Sequence, residues 1–293
     1  MPMPFDHQLR ERMAHDAEAF PISFFEEEFA ALPSRSIPLH WHPEFELVSA
    51  CNETLEIQVG QETLRLPGGD SLLVNGNVLH AMRQAEGDLP DAMPNIVFSG
   101  ELIAPERSAV YQKYLLPVMS DDALSFVLFK KGEGWHGDVN DALSEVYRQL
   151  RERRPCYEMA VQRGLSRIFE TLYLHFDELP RVTMTRVQIA AQVRLQQMLG
   201  YIHAHYAEGI ALSDIAAAAS ISRSEANRCF NAYMGCSPID ALIQYRLETA
   251  RRLLGDSALT LREISEACGF NSESYFSRRY RKVYGCAPGR GRK

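Results

Sequence analysis

Apolar and polar residues alternate in short runs between Leu39 and Phe98: F-E-L-V-S-A-C, T-L-E-I-Q-V, T-L-R-L, S-L-L-V-N and N-I-V-F. A period of two is that of a strand with one buried face, so Leu55, Ile57 and Val59 are predicted to point inward while Glu56 and Gln58 meet water. Gly60, the stretch from Pro67 to Asp70 and that from Asn75 to Asn77 supply turns between the runs. Short strands at such spacing predict an antiparallel sandwich or jelly roll.

Further on, the period lengthens to that of a helix. Val139, Leu143, Val146 and Leu150 form one stripe, and Val161, Leu165, Ile168 and Leu172 another. These two amphipathic helices are expected to pack on the barrel or on a second subunit. Just before them, Gly132, Gly134 and Gly137 satisfy G-x-G-x-x-G after the strand-like S-F-V-L-F. A dinucleotide site needs a strand-helix-strand unit and an acidic partner about twenty residues on. No parallel strand follows, so the glycines read as a loop.

The C-terminal third repeats itself. Y-M-G-C-S-P at 233–238 returns as V-Y-G-C-A-P at 283–288, and the parts before each copy match in order. Leu212, Ile215 and Ala219 match Leu261, Ile264 and Cys268 at an offset of 49; Ser224, Arg228, Phe230 and Gly235 match Ser274, Arg278, Tyr280 and Gly285 at 50. Each copy reads as two helices around a tight turn. Thr260 with Glu263, and Ser222 with Glu225, are spaced as capping boxes, with Glu225 read mainly as a cap. Ala211 stands where Thr260 caps the second copy, which predicts a weaker helix start there by about 1 kcal/mol. Gly269 can end one helix in the left-handed conformation, and a new helix starts near Asn271 or Ser272. Between the copies, Ser237 as N-cap, Pro238 at the first helical position and Gly255 as stop bound a helix of about sixteen residues, roughly 24 Å long. Such a strut would hold two helix-turn-helix units about one duplex turn apart. Helical hairpins also build ordinary all-α cores, so geometry alone leaves both readings open.

Charge favours the first. Residues 190–293 hold 14 Lys+Arg and 9 Asp+Glu, a balance of +5; residues 1–189 hold 17 and 29, a balance of −12, and the two sum to the chain's −7. A basic C-terminal module beside an acidic partner suits contact with a polyanion.

The stretches S-R-S-E-A-N-R-C-F-N-A-Y-M-G-C-S-P, A-L-I-Q-Y-R-L-E-T-A-R-R-L-L and I-S-E-A-C-G-F-N-S-E-S-Y-F-S-R-R-Y-R-K-V-Y-G-C-A-P resemble the DNA-binding domain of AraC-type bacterial transcription regulators over about a hundred residues, 190–288. The resemblance implies base reading at Ser224, Asn227 and Arg228 in the first recognition helix, with Arg223 near the backbone, and at Glu273, Ser274, Ser277 and Arg278 in the second. Arginine on guanine and asparagine on adenine are the usual bidentate pairs, and Arg223, Arg281 and Lys282 suit phosphate. Beyond the final proline the chain departs from the family pattern, reading P-G-R-G-R-K, so its last short helix is expected to be frayed or missing; Arg279 has no assigned role.

At the other end, H-W-H-P-E-F-E places His40, His42 and Glu46 at H-x-H-x-x-x-E spacing, with His80 farther on. Residues 40, 42 and 46 share one side of a strand and can converge with His80 from a neighbour. This resembles the metal motifs of cupins and also the sensor domain that commonly precedes an AraC-type DNA-binding domain. Two readings stay open: a divalent metal centre suited to Zn, Fe, Ni or Mn, or a barrel mouth where His40, Trp41, His42, Glu46 and His80 contact a small organic effector. The second is the expectation, with a polar metabolite such as a sugar as the effector class the resemblance implies.

Six cysteines without a C-x-x-C pair read as buried thiols in a reducing compartment. The first twenty residues lack an apolar signal region, and no later run reaches eighteen uncharged apolar residues, so a cytoplasmic protein without membrane contact is expected. His175, His203 and His205 are expected at the surface.

The expected architecture is a two-domain α+β chain: an N-terminal antiparallel β jelly roll (cupin-like) at 1–110, a helical linker and dimerisation segment at 111–185, and a C-terminal all-α domain at 186–293 with two helix-turn-helix units joined by a long helix. The expected function is sequence-specific regulation of transcription rather than catalysis. The partners are double-stranded DNA, a small-molecule effector, RNA polymerase and a second copy in a homodimer, and activation is the implied sign. The alternatives are a metal-dependent cupin enzyme or a metal sensor fused to a DNA-binding domain, or a barrel that binds nothing.

Overall fold

The computed structural model describes residues 20–28, 36–85, 92–121, 123–179, 186–256 and 259–291. They fall into two compact units that divide between Gln188 and Ile189.

The first unit carries nine strands: β1 (Ile22–Glu28), β2 (Ser36–His40), β3 (Phe45–Ser49), β4 (Leu55–Val59), β5 (Glu62–Leu66), β6 (Ser71–Val74), β7 (His80–Gln84), β8 (Ala92–Phe98) and β9 (Phe126–Phe129). One sheet runs β1-β8-β3-β6-β9 and the other β2-β7-β4-β5, with every pairing antiparallel. The first eight strands, four in each sheet, have the order of a jelly roll, and β9 adds to the edge of the first sheet. β4 keeps the predicted alternation, with Leu55, Ile57 and Val59 buried and Glu56 and Gln58 half-exposed. β3 does not: Phe45, Glu46, Leu47 and Val48 are all buried. Both faces of this central strand are covered, and Val48 joins the core between the sheets while Phe45 and Leu47 pack against helices.

Those helices are α2 (Gly134–Glu152) and α3 (Tyr157–Leu174), which follow a short π-turn at Tyr111–Leu115 and α1 (Leu116–Met119). Both predicted stripes are buried, and they share one core with Phe45, Leu47, Leu73, Ile96 and Phe98. The helical segment therefore packs on the five-stranded sheet. A Cβ on Gly164 would lie 2.5 Å from the Val146 side chain, so its glycine lets α3 approach α2 closely. Of the glycine string after β9, Gly134 opens α2 and Gly137 lies within it.

The second unit contains α4 (Arg186–His205) from Ile189 onward, α5 (Leu212–Ala218), α6 (Arg223–Met234), α7 (Pro238–Asp256), α8 (Leu261–Ala267) and α9 (Glu273–Tyr284). Gly235 and Gly285 close α6 and α9 in the left-handed conformation at φ 62° and 73°, which is the structural content of the repeated G-C-x-P. The strut α7 has nineteen residues, longer than the sixteen expected, or roughly 28 Å. Its Arg246 donates to the carbonyls of Tyr206 (2.7 Å) and Glu208 (2.6 Å) and lies over the Phe270 ring, tying both halves of the repeat to one helix. His203, expected at the surface, is instead buried and stacks on Tyr245 of α7 at 3.9 Å between ring centroids. Its ring covers apolar surface that a one-dimensional reading of α4 does not show.

Candidate DNA-reading helices and a buried histidine cluster

Within each hairpin the second helix starts on a serine. Ser222 accepts from the Glu225 N–H and Ser272 from the Tyr275 N–H, both at 3.2 Å. The Thr260–Glu263 box forms in both directions. Ala211 offers no side-chain acceptor, yet Asp214 accepts from its backbone N–H at 2.8 Å, so half of the reciprocal cap survives at the start of α5.

On α6, Ala226, Cys229, Phe230 and Tyr233 face the interior; on α9, Phe276 and Tyr280 do so. The opposite faces carry the residues singled out by sequence. Arg223, Ser224 and Arg228 are exposed and Asn227 is half-buried, while Glu273, Ser274, Arg278, Arg281 and Lys282 are exposed and Ser277 is half-buried. Asn227 donates from its amide to the Arg223 carbonyl at 3.0 Å. The expected Ser222–Glu225 capping box forms only by half, since the two Glu225 oxygens accept instead from Arg228 on the same helix and from Arg194 of α4. Arg279 pairs with Asp240 of α7 at 3.5 Å, which gives it a role between elements. The chain past Pro288 makes a single 3-10 turn to Gly291 in place of a longer helix.

The other predicted constellation assembles across the sandwich. His40 ends β2, His42 follows it in the turn, Glu46 lies on β3 and His80 opens β7. All four side chains are buried, and one donor atom from each lies within 4.8 Å of the others. Residue parity on β3 puts Glu46 on the same side as Val48, into the space between the sheets. Trp41 is half-buried beside them.

Hydrogen bonds orient the rings. Nδ1 of His40, His42 and His80 sits 2.9, 3.1 and 2.8 Å from the carbonyls of Pro38, Glu44 and Val78. A carbonyl only accepts, so each Nδ1 carries the proton and each Nε2 is left for the interior. Nε2 of His42 and His80 lies 3.2 and 2.8 Å from Glu46 Oε2, and Asn95 donates to Glu46 Oε1 at 2.8 Å. A neutral imidazole has one N–H. His42 and His80 each face two acceptors, one more than a neutral imidazole can satisfy, and a cation among the Nε2 atoms and the carboxylate would satisfy the geometry. Burial pushes the His40 pKa well below its ordinary value, and neighbouring His80 adds to this. Burial alone would raise Glu46, but its hydrogen bonds to His42 and His80 outweigh that and hold the carboxyl below the usual carboxylate range.

The donor set fits a metal ion. Three imidazoles and a carboxylate suit zinc, iron, nickel or manganese, and backbone-held Nδ1 protons are the usual outer support of such ligands. The 4.8 Å spread is slightly wider than the roughly 3.4–4.2 Å between donors sharing an ion with bonds near 2.1 Å.

Comparison with known proteins follows the same division of the chain. A family model described as a helix-turn-helix domain matches residues 215–293. An HTH-type transcriptional regulator of Bacillus subtilis, YdeC, is 27% identical over 288 residues, spanning 97% of this chain and 95% of that one. The regulator GbdR of Pseudomonas aeruginosa is 32% identical over 108 residues, 37% of this chain and 29% of its own length. Among solved structures, an AraC-type DNA-binding-domain regulator from Chromobacterium violaceum is 31% identical, covering 36% of this chain and 93% of that one with a TM-score of 0.34. The C-terminal part of the chain thus matches a helix-turn-helix domain, and nearly the whole chain is similar to an HTH-type transcriptional regulator. Both curated relatives carry the description of HTH-type transcriptional regulators. Among the described residues no helix is long and apolar enough to cross a membrane.

Proposed function

We propose that α6 and α9 enter successive major grooves of double-stranded DNA, with Arg228, Asn227 and Ser224 reading bases from the first and Arg278, Ser277, Ser274 and Glu273 from the second. Arg223, Arg281 and Lys282 bind phosphate. The carrying observation is that these residues lie on the solvent faces of α6 and α9, opposite the faces that build the core. The first unit acts as the sensor: an effector bound at His40, Trp41, His42, Glu46 and His80 biases which half-sites a homodimer occupies, and the occupied dimer recruits RNA polymerase as an activator.

For the signal itself, complete burial of the four donors favours a metal ion over a sugar-like metabolite. A hydroxylated ligand needs room beside the polar groups it contacts, whereas an ion fits among donors already facing one another. In vitro selection of bound DNA by the full chain, with and without divalent metal, tests the reading. A bipartite site with half-sites about one duplex turn apart, altered in occupancy by metal, supports it; a site of a single half, or none, removes the paired-helix assignment.

A further inference from the structure

We propose that Glu225 is a positioning residue for base recognition: it holds the Arg228 guanidinium in its reading orientation and makes α6 the more discriminating of the two helices. The proposal rests on Arg228 reading a base. Arg228 stands out from α6 with 76% of its side chain exposed, so left alone it would sample many rotamers. Glu225, one turn earlier, accepts from its Nη2 and is itself fixed at three points. Ser222 caps its backbone N–H, Oε2 takes Arg228, and Oε1 takes Nη1 of Arg194 from α4 at 3.4 Å.

A guanidinium has five donors in a planar fork. Engaging one edge with a carboxylate fixes the plane and leaves the others for the N7 and O6 acceptors of guanine. The second arginine also matters, since a lone carboxylate in the first turn of a reading helix would repel phosphate, whereas one flanked by two cations does not.

The repeat supplies an internal control. At the offset of 50, Tyr275 stands where Glu225 does, and Arg278 has no carboxylate partner among the described residues. α9 carries Arg278, Arg279, Arg281 and Lys282 against Arg223 and Arg228 on α6. The first helix is built to discriminate and the second to adhere.

The test is in vitro selection and competition binding with the full chain as wild type, Glu225→Ala, Glu225→Gln, Arg194→Ala, Arg228→Ala, Arg278→Ala and the double variant Glu225→Ala/Arg228→Ala. The expected result is that Glu225→Ala relaxes preference by about 2- to 10-fold at the position relaxed by Arg228→Ala, and leaves the position relaxed by Arg278→Ala alone. Adding Glu225→Ala to Arg228→Ala should change preference no further, and Arg194→Ala should show a smaller loss at the same position. If Glu225→Ala does not fold, Glu225→Gln and Arg194→Ala carry the comparison. An even loss of affinity across all sequences, or additivity in the double variant, would mean a merely structural residue and overturns the proposal. An Arg228→Ala protein with unchanged preference fails differently: it removes Arg228 as a reader, and Glu225 with it.

Discussion

Glu46 of β3 and His80 of β7 belong to opposite sheets of the sandwich, and the carboxylate Oε2 of one lies 2.8 Å from Nε2 of the other, both side chains buried. Three imidazoles and the Asn95 amide crowd around one carboxylate beside an apolar core. Such an arrangement costs desolvation and persists in a fold when a charge completes it.

Metal content is the direct measurement. Protein purified without chelator is expected to hold one divalent transition metal per chain by elemental analysis, and His40→Ala or His80→Ala to lower occupancy at least 10-fold. Chelator treatment should lower the melting temperature of the first unit, because binding to the folded state alone stabilises it. Wild-type protein with no bound metal and no thermal shift on adding zinc, nickel, manganese or iron would return the pocket to an organic effector.

Acid should weaken the metal-free first unit. The folded pKa of His40 is depressed, so below its ordinary value of about 6.5 the unfolded chain takes up a proton that the folded chain resists, and stability falls with pH. Glu46 is depressed as well; its contribution is present above about 4.3 and is lost as pH falls further. Melting curves of chelated protein from pH 7.5 to 4 should slope downward throughout, and His40→Ala should flatten the upper part. A melting temperature that rises toward pH 5 would contradict the burial of neutral His40.

Tyr147 of α2 donates to the carbonyl of Leu47 (3.0 Å), next to Glu46, and accepts from Ser49 (3.3 Å). Burial raises its pKa far above the ordinary tyrosine value, so it stays a neutral donor at any working pH. Tyr147→Phe keeps the ring and deletes the bond; a loss of about 1 kcal/mol in denaturant unfolding is expected.

Gly269 separates α8 from α9 at φ +73°, where an added Cβ would lie 2.6 Å from the Tyr206 carbonyl oxygen. Gly269→Ala should therefore cost about 1–3 kcal/mol through left-handed strain and a clash with backbone that has little freedom to move. An unchanged melting temperature would show that the turn can relax.

On DNA, Arg228→Ala and Arg278→Ala are each expected to cost about 1–3 kcal/mol of specific binding, while Arg281→Ala should weaken all sequences alike and reduce the salt slope by about 0.9. Equal losses on specific and random duplexes for all three would move the arginines from base reading to phosphate contact.

Much of the candidate site could be read before any coordinates. The spacing H-x-H-x-x-x-E named three of the four clustered residues and His80 completed them, but not by the parity of one strand: His40 ends β2, His42 lies in the turn and Glu46 is on β3, so the connection between two sheets brings them together. Seven-residue periodicity likewise located both helical stripes of α2 and α3. Alternation does not mark β1, β2 or β7: none of I-S-F-F-E-E-E, S-I-P-L-H and H-A-M-R-Q has a turn-bounded pattern of its own, and each becomes a strand by pairing, β1 with β8, β2 with β7, and β7 also with β4.

The linear order of residues determined where helices start and stop, since caps and glycine stops act within a few residues, and it determined the twofold repeat. Tertiary structure alone decided that Glu46 lies inside the sandwich with its histidines, that His203 lies under Tyr245, and that Glu225, expected as a cap, is the partner of two arginines. Those outcomes depend on which surfaces the packing covers and which charges it brings within reach across elements distant in sequence, and no local rule carries that information.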